Sequence, residues 1–174
     1  MGARPARATV AMKHLLIVYH SLTGGTRQMA EAAATAARRQ DGVRTQLQTA
    51  AASGPQDLLA ADGYLFACPE NLAAIAGVMK DFFDRCYYPV LDRIQGRPYA
   101  AMVCAGSDGQ NALRPMERIA TGWRLKAVAP GLIVCTHAQT PEQILAPKTI
   151  GADELARCAE LGEGLAAGLS AGVF

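Results

Sequence analysis

The stretch HLLIVYHSLTGGTRQMAEAAATAA, residues 14–37, passes from an apolar run through small polar residues into an alanine-rich segment. The apolar run at 15–19 contains β-branched residues and is typical of a buried strand. Alanine is the strongest helix former, and no proline follows before Pro55, so a helix is predicted after the polar residues. The stretch therefore predicts a strand, a short loop and a helix, which is the first unit of an α/β fold.

The loop of this unit has the composition of an anion-binding site. The first N–H groups of a helix have no partner within it, and the helix dipole favours negative charge there. Ser21, Thr23 and Thr26 add hydroxyl donors, while Gly24 and Gly25 allow close approach and positive φ. The spacing matches neither GxxxxGK[ST] nor GxGxxG, so two common nucleotide-binding loops are excluded. The alternative is a plain strand-to-helix turn with Thr26 as the N-cap.

Length and composition predict a single cytoplasmic domain. With 174 residues the chain can form one substantial core, predicted for 12–174, and residues 1–11 are predicted to be a disordered extension without the apolar segment of a signal peptide. The 17 basic and 15 acidic residues nearly balance, which argues against a nucleic-acid surface. No apolar run approaches the roughly 20 residues that cross a bilayer. Cys68, Cys104 and Cys135 fall in predicted strands, form no metal-like cluster and are interpreted as buried free thiols, which suit a reducing compartment.

Four further apolar segments predict strands, and the amphipathic segments between them predict helices. The predicted strands cover residues 43–49, 64–68, 99–104 and 132–136. Residues 69–76 and 137–151 are predicted to be loops. Strands that alternate with helices favour a parallel sheet covered on both faces, for which the order 2-1-3-4-5 is one of two common solutions. In that order the loops after strands one, three and four meet at one crevice, beside the carboxyl ends of the strands.

Three segments resemble those of a known family. Residues 21–26, Ser-x-Thr-Gly-x-Thr, resemble the loop that holds the FMN phosphate in flavodoxins and their relatives. Residues 69–84 are similar to the P-x(7)-G-x-[ML]-K-x-F-x-D stretch of NAD(P)H-dependent FMN and quinone reductases, and residues 106–110 resemble that family's glycine-rich loop after strand four. The resemblance covers most of residues 14–136. It implies a flavodoxin-like three-layer sandwich with a five-stranded parallel sheet.

The resemblance also implies an FMN site made of all three loops. In that family the second loop lies along the flavin ring and the third contacts its other edge, so amides near Asn71, Leu72 and Ala73 are expected to meet the N1/O2 and N5 region. The implied cofactor-binding residues are Ser21, Thr23, Gly24, Gly25, Thr26, Pro69, Glu70, Asn71, Leu72, Ala73, Ile75, Gly77, Ala105, Gly106, Ser107 and Gly109. The sequence assigns no catalytic residue, because His20 and His137 are more often surface or supporting groups in such positions.

Several charged side chains near these loops keep a structural interpretation beside a functional one. Glu70 is either solvated or in contact with flavin or substrate. Lys80 and Asp84 are one helical turn apart, which favours an exposed ion pair. Asp108 favours a cap of the fourth helix over a role in chemistry.

The chain departs from the electron-carrying flavodoxins, which are strongly acidic and usually stack aromatic side chains on the ring. Its pI is about 8.3, and residues 69–78 and 105–113 contain no aromatic side chain. An uncovered ring face favours hydride transfer over one-electron transfer. The sequence thus predicts an FMN-binding oxidoreductase that uses NADH or NADPH to reduce a quinone, a flavin or a similar small acceptor.

Two other functions and several properties stay open at this point. The alternatives are a flavodoxin-type electron-transfer protein without its own substrate and a flavodoxin-like domain that has lost its cofactor. The resemblance implies a homodimer or homotetramer. The sequence does not distinguish NADH from NADPH, since the arginines considered for a 2′-phosphate, Arg114, Arg118 and Arg124, have no assigned place.

Overall fold

The computed structural model describes residues 11–174, in which the longer strands alternate with helices. The elements are β1 (Lys13–Tyr19), α1 (Gly25–Ala37), β2 (Val43–Thr49), α2 (Pro55–Ala60), β3 (Gly63–Asn71), β4 (Ala74–Ile75), α3 (Gly77–Val90), β5 (Pro98–Ala105), α4 (Gln110–Gly122), β6 (Lys126–Ala127), β7 (Leu132–Cys135), α5 (Pro141–Leu145) and α6 (Ala152–Ala171). The extension predicted for residues 1–11 lies outside the described residues, except at Ala11. Within 11–174 no helix combines the length and the apolar character needed to span a membrane.

The longer strands form a parallel sheet in the order β2-β1-β3-β5-β7. β1 lies between β2 and β3, with Ile17 opposite Leu47 on one side and Leu65 on the other. The predicted order 2-1-3-4-5 is confirmed, since the five predicted strands are β1, β2, β3, β5 and β7. The two-residue strands β4 and β6 were not predicted, and β6 pairs with the start of β5 on the side where β7 pairs with its end.

Helices cover both faces of the sheet. α1 and α6 pack on one face against aliphatic side chains that include Leu15 and Ile17. α3 and α4 pack on the other face, where the Phe66 ring lies 5.3 Å from that of Phe83 and 6.3 Å from that of Trp123. This packing on both faces holds β1, β3 and β5 in place and so fixes where the loops at their carboxyl ends begin.

The segment at 69–76, predicted to be a loop, is largely a hairpin. β3 continues to Asn71 and then turns back into β4, which pairs with it in antiparallel fashion. The sequence indicated a loop because the apolar run ends at Pro69 and proline is generally excluded from central strands. Pairing between β1 and β3 has already ended at Ala67, so the missing N–H of Pro69 leaves no bond to β1 unmade, while β5 still pairs beside it.

The segment at 137–151, also predicted to be a loop, contains the short helix α5. Thr140 caps this helix: its hydroxyl accepts the N–H of Gln143 (3.3 Å), and the Gln143 side-chain oxygen accepts the N–H of Thr140 (3.3 Å). Pro141 stands at the start of the helix, where its missing N–H costs nothing. Five residues are too few to show a helical periodicity in the sequence. Residues 138–148 are called the covering arm below.

Candidate functional site

A cleft of 480 Å³ lies at the carboxyl ends of β1, β3 and β5. All three predicted loops line it, through residues 22–23, 69–73 and 105–107. The fourth wall comes from the covering arm and from Thr136, two residues before its start; the arm residues are Ala138, Gln139, Ile144 and Lys148. The volume is that of a small-molecule site, and no aromatic side chain is present among the described residues that line it.

The first loop presents hydroxyl and amide groups at the start of α1. The N–H of Gly24 donates to Ser21 Oγ (3.1 Å), and Gly24, at φ 90°, is the N-cap of α1 without any side-chain cap. The N-cap role that the plain-turn alternative gave to Thr26 is therefore wrong. Thr26 Oγ1 is instead buried, faces the Cys104 thiol and has no hydrogen-bond partner of good geometry in the part of the chain that the structure describes. A Cβ added at Gly25 would lie 2.7 Å from Cys104 Sγ, so glycine lets the loop approach β5 closely.

The second loop is a two-residue hairpin turn under backbone strain. Leu72 and Ala73 have φ values of 49° and 56°, and positive φ at both central positions is typical of a type I′ turn. Each non-glycine residue in this region costs about 1 kcal/mol. Strain of this kind occurs often where backbone groups serve a ligand, and the fully exposed Leu72 side chain stands at the rim of the cleft.

The third loop is fixed by contacts with its neighbours. Gly109 is the N-cap of α4 at φ 83°, and a Cβ there would lie 2.7 Å from the Ile133 side chain. The N–H of Asn111 donates to Glu70 Oε2 (3.1 Å), so a carboxylate from the second loop serves the first turn of α4. The predicted cap by Asp108 is wrong, because the N-cap residue is a glycine and no side chain caps the helix from that position. Glu70 thereby ties the second loop to the third.

Gln28 on α1 joins the first loop to the covering arm. Its Nε2 donates to the carbonyl oxygens of Gly24 (2.9 Å) and Lys148 (2.7 Å), and its Oε1 accepts the N–H of Ile150 (3.1 Å). The N–H of Lys148 donates to the carbonyl of Thr23 (2.8 Å). Sequence reasoning missed this wall because the contact joins residues 120 positions apart. The capping-box spacing at the start of α5 was the one local signal for it.

The surroundings of the cleft keep the Cys104 thiol neutral and hold the Lys148 ammonium group in place. Burial raises the pKa of the Cys104 thiol to about 11, with a smaller opposing effect of Lys148, so this thiol is neutral at pH 7. The Lys148 ammonium group donates to three carbonyls at the end of α5, those of Gln143 (2.7 Å), Ile144 (2.8 Å) and Ala146 (2.6 Å). Lys148 therefore closes the end of α5, as a basic residue at a helix C-terminus does.

The predicted site residues fall into three groups. Those that line the cleft are Thr23, Pro69, Glu70, Asn71, Leu72, Ala73, Ala105, Gly106 and Ser107. Ser21 and Gly24 line an adjoining polar cavity together with Thr23 and His20. Those that line neither space are Gly25, Thr26, Ile75, Gly77 and Gly109. Lys80 and Asp84 form the predicted exposed ion pair (2.6 Å) outside both spaces.

The second and third loops lie within a segment that has a known family pattern. A sequence model of the NADPH-dependent FMN reductases matches residues 45–140, which is more than half of the chain. The chain belongs to this family. Family membership agrees with the resemblance seen in the sequence, and the match extends through both of those loops into the start of the covering arm.

Two relatives in sequence carry flavoprotein names. The chain is 32% identical over 98 residues to a flavodoxin of Aquifex aeolicus, which is 56% of this chain and 53% of the relative. It is 32% identical over 94 residues to an NAD(P)H dehydrogenase (quinone) of Acidithiobacillus ferrooxidans, which is 42% of this chain and 47% of the relative. The matches thus span about half the length of these relatives.

Solved structures match the whole fold. A flavodoxin from the domain Archaea has a TM-score of 0.74 at 20% identity, over 90% of this chain and 98% of that one. A flavodoxin, WrbA-like protein from Agrobacterium tumefaciens has a TM-score of 0.71 at 20% identity, over 89% and 96% of the two chains. The predicted flavodoxin-like α/β fold is confirmed, with seven strands instead of five.

Proposed function

We propose that this protein binds FMN in the 480 Å³ cleft and uses NADPH or NADH to reduce a quinone, a flavin or a similar small acceptor. The observation that carries the proposal is the meeting of the three loops around an aromatic-free cleft, in a chain that belongs to the NADPH-dependent FMN reductases.

The first loop fits a phosphate group. The hydroxyl of Thr26 is buried and unpartnered, and a buried hydroxyl in a native protein generally has a partner. The first N–H groups of α1 are free of helical bonds and favour an anion. Thr26, Thr23 and these amides would together hold the phosphate, with Ser21 keeping the loop in shape through its bond to Gly24.

The second and third loops fit a flat ring. Their small side chains leave space between them, and the amides of the strained turn at Leu72 and Ala73 would face the ring edge. Gly106 and Ser107 would contact the opposite edge. Bound FMN would supply hydride transfer. The chain would orient the ring and exclude water from the ring face that rests on the protein. The other face would stay open to the nicotinamide and the acceptor. Without an aromatic side chain in the lining, no stacking side chain covers that face among the described residues.

The first test is a titration of the purified, flavin-free protein with FMN and with riboflavin, which lacks the phosphate. FMN is expected to bind at least about tenfold more tightly than riboflavin, because charge-assisted hydrogen bonds to a phosphate are worth about 1.5–3 kcal/mol. Bleaching of the bound flavin by NADPH or NADH under anaerobic conditions, and its recovery with a benzoquinone, would then establish the reaction. A protein that binds no FMN, or whose bound FMN neither nicotinamide reduces, would refute the proposal.

A second candidate is a flavodoxin-type electron carrier without its own substrate. The similarity to the Aquifex aeolicus flavodoxin favours it. The two candidates differ in their source of electrons: a carrier would accept them from a protein reductase and would stay oxidised with a nicotinamide alone. The anaerobic bleaching experiment therefore separates them.

We further propose that residues 12–174 form one domain that acts in the cytoplasm as a homodimer or homotetramer. A neighbouring subunit would cover part of the open cleft, whose rim carries exposed apolar side chains at Leu22, Leu72 and Ile144. Light scattering after size-exclusion chromatography, with and without FMN, would measure the assembly, and a monomer in both states would refute it.

A further inference from the structure

A second cavity of 430 Å³ adjoins the cleft on the β2 side of the first loop. It shares Leu22 and Thr23 with the cleft, while Thr49 at the end of β2 and the arm residues Leu145 and Pro147 line its outer part. One extended ligand could therefore pass over the first loop from one space into the other.

The groups that line this cavity suit an anion. Hydroxyls come from Tyr19, Ser21, Thr23 and Thr49, and Arg27 supplies a guanidinium group. No carboxylate is found among the described residues that line it. A guanidinium binds the oxygens of a phosphate monoester through two parallel hydrogen bonds, and neighbouring hydroxyls can serve the remaining oxygens.

Arg27 is free to meet such a ligand. Its one ion pair within residues 11–174, with Glu31 one helical turn away, is long at 3.9 Å, and both side chains are more than half exposed. Exposed pairs of this kind contribute little, so a dianionic phosphate would compete with Glu31 easily.

The FMN phosphate does not require this cavity. Of the groups proposed to hold it, Gly25 and Thr26 face Cys104, which lines the main cleft, and Thr23 lines both spaces. Neither Gly25 nor Thr26 lines the second cavity. The arginine there is therefore available for a different phosphate.

We propose that this cavity binds the 2′-phosphate of NADPH and that Arg27 determines the preference for NADPH over NADH. The inference rests on the proposed function, because it names the nicotinamide nucleotide that would serve the same site. It also replaces the arginines considered from the sequence. Arg114, Arg118 and Arg124 line neither space, and Arg124 pairs with Asp92 (3.1 Å).

The test compares the binding of NADP⁺ and NAD⁺ by calorimetry to the FMN-loaded wild-type protein and to Arg27→Gln. The substitution is expected to weaken NADP⁺ binding about tenfold, which corresponds to the loss of one charge-assisted contact, and to leave NAD⁺ binding within about twofold. The KM for NADPH should rise by a similar factor, with kcat and the Kd for FMN unchanged. Arg27→Lys, which keeps the charge but not the planar fork, should lie between the two.

Two control variants match this substitution. Glu31→Gln removes the same ion pair but keeps Arg27, and Arg38→Gln removes an exposed arginine near the other end of α1. Both should bind NADP⁺ as the wild type does. A loss of NADP⁺ affinity in Arg38→Gln would assign the effect to general charge, and a loss in Glu31→Gln would assign it to the ion pair. Either result would overturn the proposal.

The other outcomes also decide the question. Weaker FMN binding in Arg27→Gln would assign the cavity to the cofactor phosphate and overturn the proposal. Equal losses of affinity for NADP⁺ and NAD⁺ would show that Arg27 does not recognise the 2′-phosphate. A wild-type protein that binds NADP⁺ no better than NAD⁺ would also overturn the inference. If the protein binds no FMN, the proposed function fails by itself, while the contrast between NADP⁺ and NAD⁺ in the FMN-free protein still tests Arg27. Should Arg27→Gln fail to fold, the comparison of Arg27→Lys with the wild type tests the same contact.

Discussion

The side of the sheet where the parallel strands begin is called the amino edge here, and the side where they end is called the carboxyl edge. The two sides use their polar groups in different ways. At the amino edge, Arg97 Nη1 donates to the carbonyls of Leu58 (2.9 Å), Leu59 (3.0 Å) and Ala61 (2.6 Å) and to the Tyr64 hydroxyl (3.0 Å). That guanidinium thereby closes the carbonyl end of α2.

At the carboxyl edge, a buried hydroxyl at Thr26 has no partner, and the turn at Leu72 and Ala73 holds two residues at positive φ. Groups that would stabilise the fold if they were paired and relaxed are left unpaired or strained there.

Among the described residues, the amino edge also has a buried atom without a partner, His14 Nε2, and positive φ at Asp92 and Arg124. The contrast is therefore between Arg97 with its acceptors, called the Arg97 cluster, and the loops around the cleft. We expect the Arg97 cluster to contribute to stability, and Thr26 and the turn to give up some stability for binding. Variants at each edge can test this division.

The largest effect is expected from Arg97→Ala at the amino edge. It leaves the carbonyls of Leu59 and Ala61 without this donor, while the Leu58 carbonyl keeps the Tyr64 hydroxyl as a donor (2.6 Å). The free energy of unfolding should fall by about 2–3 kcal/mol. Urea denaturation measures this change. The Kd for FMN should stay within about twofold of the wild-type value at low urea. A large loss of FMN affinity with little loss of stability would show that Arg97 serves binding and not stability, which contradicts the expected division between the two edges.

Thr26→Val at the carboxyl edge is expected to lower FMN affinity without lowering stability. The valine keeps the shape and removes a buried, unpartnered hydroxyl, so the free energy of unfolding should not fall and could rise by up to about 1 kcal/mol. FMN affinity should weaken about tenfold, because the phosphate would lose one hydrogen bond. Fluorescence titration with FMN checks this, and Thr35→Val on the exposed side of α1 is the control. Unchanged FMN affinity would show that the orphan hydroxyl is not part of the phosphate site.

The link between the first loop and the covering arm can be cut with Gln28→Ala. The change removes the bonds to Gly24, Lys148 and Ile150, and FMN affinity should fall about fivefold because the fourth wall loses its anchor. Amide hydrogen exchange at Lys148 and Ile150 should become faster, with Gln40→Ala near the end of α1 as the control. Exchange and affinity equal to those of the wild type would show that the arm is held by its other contacts.

A smaller effect is expected at the hairpin turn. Ala73→Gly removes the cost of a positive φ and should raise the free energy of unfolding by about 1 kcal/mol. FMN affinity should stay the same, since the amide group remains. Ala74→Gly next to it, in β4, should instead lower stability, because a glycine in a strand loses more chain entropy. Thermal and urea denaturation of the two variants give the comparison, and a destabilised Ala73→Gly would show that the turn is not strained.

Much of the fold could be predicted because its signals are local. The apolar run at 15–19, the glycine-rich loop and the alanine-rich helix stand next to one another in the chain, and each follows from the residues within it. General rules for parallel sheets left two common strand orders, and the resemblance to flavodoxins favoured 2-1-3-4-5. The same local motifs also named most of the residues that line the cleft.

The features that were missed depend on contacts between distant residues. Glu70 and Asn111 are 41 positions apart, so the sequence favoured the nearer Asp108 as the helix cap. The covering arm lies against the first loop through Gln28, and no local pattern shows that contact. The hairpin after β3 was hidden because Pro69 ends the apolar run, although the strand pairing continues past it on one side.

The smallest effect is expected for the pH dependence of stability, which His20 at the carboxyl edge should influence. Burial raises the pKa of Tyr64 to about 12, but at the amino edge Arg97 opposes that shift and donates to the hydroxyl. Burial lowers the pKa of His20 below its ordinary value of 6.5, with no other cause resolved. The unfolded chain therefore takes up a proton at His20 at a higher pH than the folded one does, so stability present above that range is lost as the pH falls through it. In urea denaturation from about pH 8 down to about pH 5, His20→Asn should gain stability relative to the wild type as the pH falls. If the difference in unfolding free energy between the variant and the wild type stays constant over this range, the pKa of His20 is the same in the folded protein as in the unfolded chain.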